Sequence, residues 1–134
     1  MSLTSGEVAA LAGQATGFVP ATTDVHIAPH TDDDPYRWGS ASWQVRFVPE
    51  GGGSVSLVVS ADGSAAEALA RMLDQLSEYG PEQGALWGQA IPACPGHRHA
   101  ARVEVDGGEV VLVCPDTQEP MLRVQPVGAE PPSR

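Results

Sequence analysis

The sequence predicts an α+β domain in which antiparallel β-hairpins pack in two layers against one main amphipathic helix. Three observations carry this expectation. Residues 41–60 alternate apolar and polar side chains on both sides of a Gly-rich turn, the period of half-buried strands, and residues 101–105 and 109–114 read as a second hairpin around Asp106-Gly107-Gly108. Between them, Leu69, Met72, Leu73 and Leu76 recur at helical spacing. The chain has 134 residues, 42% of them hydrophobic, which suits a single domain with a real core.

The elements follow in chain order. Residues 4–16 read as a short helix with Val8, Leu11, Ala12 and Ala15 on one face, weakened inside by Gly13. Residues 22–28 alternate weakly and read as an edge strand. The run Thr31-Asp32-Asp33-Asp34-Pro35 reads as a loop, because adjacent carboxylates repel and Pro35 lacks a donor. Over 41–48, Trp43, Val45 and Phe47 share one face, with Gln44 and Arg46 on the other. Pro49-Glu50-Gly51-Gly52-Gly53 turns the chain, and Val55, Leu57 and Val59 continue the apolar face.

Ser64 and Glu67 stand three apart, the spacing of a capping box, and open a helix over 64–79 that Gly80-Pro81 ends. This helix is expected to lie on the greasy face of the 41–60 hairpin, since each needs the other to exclude water. An uncovered face there would point to dimerisation instead. Residues 81–93 read as a loop anchored by Leu86 and Trp87. Strands over 101–105 and 109–114 flank Asp106-Gly107-Gly108, and 121–125 adds a short strand. Residues 1–125 thus form a single globular domain, and the Pro-rich stretch 126–134 is expected to be a disordered tail.

The formal charge is -10, from 17 acidic residues against seven basic ones, all Arg. This balance argues against direct nucleic-acid binding and against anionic membrane surfaces, both of which need basic patches. It leaves room for a protein partner with a basic face. The absence of Lys and Asn, with Ile only at 27 and 91, is the mark of a GC-rich genome. No apolar run is long enough to span a bilayer, and no basic segment precedes an apolar one at the N-terminus. The expectation is a cytoplasmic protein, monomeric or homodimeric.

Chemistry concentrates at Cys94-Pro95-Gly96-His97-Arg98-His99. Cys-x-x-His is the spacing at which a tight turn aims two ligands at one ion, and Pro and Gly suit that turn. If Gly107-Gly108 is a two-residue turn, Val105 faces Val110, Val103 faces Leu112, and Ala101 faces Cys114. His99, two residues before Ala101, then points to the face of Cys114. Cys114-Pro115 also repeats the Cys-Pro start. Cys94, His97, His99 and Cys114 are therefore the expected metal ligands, and zinc is the expected ion. Asp116, His26 or His30 can replace one histidine, and a water in the fourth place would make the site catalytic. The same cysteines also fit two buried apolar side chains, or a disulfide or redox pair. His26 and His30 beside Asp32, Asp33 and Asp34 suggest a second cation site, but the spacing is not that of an EF-hand. No phosphate loop, nucleophile elbow or catalytic carboxylate pair is present.

Through Pro92-Ala93-Cys94-Pro95-Gly96-His97-Arg98-His99, Val105-Asp106-Gly107-Gly108 and Val113-Cys114-Pro115, the chain resembles a group of small uncharacterised actinobacterial proteins with a Cys-Pro-Gly-His-x-His and Val-Cys-Pro pattern. The likeness covers under a fifth of the chain. Ala100-Ala101 stands where the group often carries Pro-Leu. The resemblance implies a source and a motif, and no mechanism.

Three functions are compatible with these features. The first is a small binding or regulatory module closed by a structural zinc knuckle. The second is an acidic inhibitor or decoy for a basic protein partner. The third is a metal- or thiol-dependent enzyme using Cys94 or a metal-bound water.

Overall fold

Thr4 starts the first helix, α1 (Ser5–Thr16), with a reciprocal cap. Its hydroxyl accepts from the Glu7 amide, and the Glu7 carboxylate accepts from the Thr4 amide at 3.1 Å. The four small or branched residues expected on one face, Val8, Leu11, Ala12 and Ala15, are buried. The computed structural model describes residues 3–30, 42–82, 84–94 and 99–127. The acidic loop at 31–35 and residues 128–134 of the expected tail lie outside these residues.

Strands β1 (Thr23–Pro29), β2 (Ser42–Pro49) and β3 (Val55–Ser60) form an antiparallel sheet in the order β1-β2-β3. Val45 pairs with Ile27 on one side and Leu57 on the other, so one face collects the branched side chains. Gly51, Gly52 and Gly53 all have positive φ, which side chains would resist, so the turn joining β2 to β3 needs glycines. β1 is an edge, as its weak alternation predicts.

Helix α2 (Ala65–Tyr79) is capped by the Ser64 hydroxyl, which accepts from the Glu67 amide. Leu69, Met72, Leu73 and Leu76 are fully buried. Each such side chain contributes roughly 1.5–3 kcal/mol relative to exposure. Gly80 ends the helix with right-handed backbone angles. Glycine is needed there for space, because a Cβ would lie 3.1 Å from Ile91 Cδ1. Two 3-10 turns follow, Gly80–Glu82 and Gly84–Leu86.

A second antiparallel sheet has the order β4-β5-β6, from β4 (Arg102–Asp106), β5 (Glu109–Val113) and β6 (Pro120–Val124). Gly107 and Gly108 turn the first hairpin with φ of 61° and 83°, the left-handed pair of a tight two-residue turn. Val105 faces Val110 and Val103 faces Leu112, the register expected from keeping apolar residues together.

The fold is therefore α+β, with two helices and two small three-stranded sheets among the described residues. Its layering is shared more evenly than a single main helix would give. α2 touches β3 of the first sheet and β4 and β5 of the second, whereas α1 packs on α2, β1 and β2. The small residues of α1 allow this close approach, which the stronger stripe of α2 overshadows in the sequence. The apolar face of the 41–60 hairpin is covered: Val45, Phe47, Val55, Leu57 and Val59 are all buried. Leu86 is a buried anchor, but Trp87 is 73% exposed. The turn that buries Leu86 carries its neighbour outward, so Trp87 does not anchor the loop. No helix among the described residues is long and apolar enough to cross a membrane.

The last strand leads back to the first helix. The Gln14 side chain donates to the Gln125 carbonyl and accepts from the Val127 amide, both at 2.9 Å. Pro126 between them is buried.

Candidate metal centre

Two loops at one end of the second sheet carry the candidate ligands. The first follows the Ile91–Pro92 peptide, which is cis. Ala93 and Ala100 then form a short antiparallel bridge. The Ala101 amide donates to the Pro92 carbonyl at 2.8 Å, and the Cys94 amide donates to the His99 carbonyl at 3.1 Å. The segment is thus a miniature hairpin with Cys94 and His99 at its neck.

The second loop connects β5 to β6 and closes in the same way. The Cys114 amide donates to the Glu119 carbonyl at 3.0 Å, again five residues ahead. Inside it, the Gln118 amide donates to the Cys114 carbonyl at 2.8 Å. Gln118 has φ of 63°, and its side-chain amide holds the Pro115 carbonyl at 2.6 Å. That bond helps hold a non-glycine residue in the left-handed region. Both loops therefore begin Cys-Pro and span the same six positions between closing groups.

The loops bring Cys94, His99 and Cys114 together, with one ligand atom of each lying within 4.8 Å of the others. The two thiols make no disulfide. Cys94 and Cys114 are buried, and the His99 side chain is 34% exposed. A tetrahedral zinc with bonds near 2.3 Å holds its sulfurs roughly 3.8 Å apart. A contraction of about 1 Å or less would therefore suit the spread of these atoms.

The electrostatics also favour a bound cation. Cys114 is lowered from 9.0 to about 6, chiefly because its sulfur accepts a hydrogen bond from the Thr117 amide. The Thr117 hydroxyl, the Asp116 amide and Cys94 add to the effect against the opposing cost of burial. Cys94 is raised, first by burial and then by its hydrogen bond to Cys114. The pair thus behaves as one thiolate receiving one thiol proton, and the thiolate is the form that binds metals.

His99 Nε2 lies 3.1 Å from Asp116 Oδ2, and Nδ1 lies 3.2 Å from the Ala100 carbonyl oxygen. Both ring nitrogens thus face oxygens, so a ligating His99 would release one of these contacts, and a carboxylate behind the other nitrogen is the usual support for a ligating histidine. The three donors are the described residues that can hold an ion, and together they have the chemistry of a zinc or other thiophilic site.

Of the four ligands expected from sequence, Cys94, His99 and Cys114 meet, and His97 lies outside the described residues. His26 and His30 do not join the group. His26 is exposed on β1 opposite Arg46, and the His30 amide donates to the Ser42 carbonyl at 2.9 Å. The suggested second cation site depends on Asp32, Asp33 and Asp34, which also lie outside the described residues. Thr117 was not legible as a thiolate donor. Its position three residues after Cys114 matches that of His97 after Cys94, and this repeat is the signal that could have found it.

Comparison of the chain with protein-family models, curated proteins and solved structures found no match.

Proposed function

We propose that the chain is a small binding or regulatory module whose second sheet is closed by a structural zinc centre. Cys94, His99 and Cys114 supply three ligands, and His97, at Cys-x-x-His spacing, supplies the fourth. The convergence of the three donor atoms within 4.8 Å carries this reading. The partly ionised thiol pair and the carboxylate behind His99 support it.

The role assigned to zinc is to tie together two loops that are each closed by their own backbone hydrogen bonds. Four bonds to one ion would add to the apolar burial of β5, so that ligand binding and folding are coupled. Four protein ligands leave no position for a substrate, and the centre then shapes the surface without performing chemistry.

The test is the metal content of untagged protein, by mass spectrometry, with thermal melts before and after chelation. One zinc per chain and a lower melting temperature after chelation are expected. Cys94→Ser and Cys114→Ser should each abolish stoichiometric zinc. A metal-free protein whose melt is unmoved by added zinc would overturn the proposal.

A further inference from the structure

We infer that Met121 is a third sulfur donor of this centre, making it a site for Cu(I) as well as for zinc. The inference rests on the reading of Cys94, His99 and Cys114 as metal ligands. Its own support is independent and lies in β6.

The β5–β6 register runs Val110 with Val124, Val111 with Arg123 and Leu112 with Leu122, then jumps to Val113 with Pro120. Met121 is the residue skipped. A regular ladder would alternate it away from the face that carries Leu122. The register shift frees it from that alternation, the way β-bulges re-aim side chains beside functional sites. The re-aimed thioether reaches the centre, with Met121 Sδ lying 3.3 Å from Cys94 Sγ.

Four soft or borderline donors therefore stand at one place: two cysteine sulfurs, one methionine sulfur and one imidazole. Zinc accepts thiolate and imidazole but has little use for a neutral thioether, whereas Cu(I) takes thiolate and thioether together. Apolar packing alone would be served equally well by Leu at 121. A thioether in contact with a ligating sulfur adds something that Leu cannot.

Reduced, metal-free protein is titrated anaerobically with Cu(I) against bathocuproine disulfonate, and in parallel with zinc against a chromophoric chelator, for the wild type and Met121→Leu. Met121→Leu should weaken Cu(I) binding by about tenfold or more, while zinc affinity stays within about twofold. Selenomethionine-labelled wild type loaded with Cu(I) should show copper as a neighbour at the selenium edge, and Met121→Leu should lose it. The labelled wild type keeps the test decisive even if the variant misfolds. Equal Cu(I) affinities for the two proteins, or a selenium edge without copper, would overturn the role of Met121 and leave the zinc reading intact. Wild type that binds Cu(I) through Met121 but not zinc would reverse that outcome, and wild type that binds neither ion would overturn both.

Discussion

Asp116 reaches from the second Cys-Pro loop to His99 at the end of the first, its Oδ2 3.1 Å from the imidazole Nε2. The contact joins the two loops through a side chain that is 70% exposed, so its value for stability alone is small. Its value for a ligating histidine is larger, because it sets the ring's orientation and proton. Asp116→Ala is expected to reduce zinc affinity by about 10–100-fold while the metal-free melt barely moves. Chelator competition and differential scanning of the two proteins check this.

Cys114 provides a pH signature in the reduced, metal-free chain. Its folded value near 6 lies below the ordinary thiol value of 9.0. The stability it contributes is therefore fully present above the unfolded value and is lost as pH falls through the folded one. Ultraviolet thiolate absorbance should rise with a midpoint near 6, and Cys114→Ser should remove that step. Thr117→Val, which loses the hydroxyl but keeps the amide, should move the midpoint upward without restoring an ordinary thiol.

Trp87 should behave as a surface probe. At 73% exposure its emission is expected to be red-shifted and open to acrylamide, seen as the difference between wild type and Trp87→Phe. Trp87→Ala should change stability by no more than about 0.5 kcal/mol. Trp43 is half-buried, and its indole Nε1 donates to the Leu3 carbonyl at 3.0 Å. Trp43→Phe should therefore cost about 1 kcal/mol, read in denaturant melts.

The core and the cap of α1 should separate by magnitude. Leu76→Ala empties a fully buried site on α2 and should cost about 2–5 kcal/mol. Thr4→Ala breaks the reciprocal cap and should cost about 1 kcal/mol. Chemical denaturation of both variants, with unchanged slopes, distinguishes these losses from a change in the unfolded chain.

The second sheet shows what alternation reveals and what it hides. Gly107-Gly108 and the flanking valines allow one register that keeps apolar side chains together, so the pairing of Val105 with Val110 can be read directly. That register also points Cys114 toward the neck where His99 ends. Met121 was hidden because its position depends on a one-residue shift between β5 and β6, which no period in the sequence announces. Trp87 misled because a large apolar side chain next to buried Leu86 carries no sign of which way the turn faces. Helix α1 shows weakly for a related reason, since half of its buried face is alanine and gains its weight through close approach to α2.

The clasp that Gln14 places on Gln125 and Val127 sets an order of events during synthesis. The first helix is made before the backbone it must grip, which lies more than a hundred residues downstream. Until that stretch leaves the ribosome, the Gln14 side chain lacks these two partners, and Pro126 between them is not yet there to be buried. Closure of this seam therefore waits on residues 125–127, and a chain halted before residue 125 would lack both backbone groups that Gln14 grips.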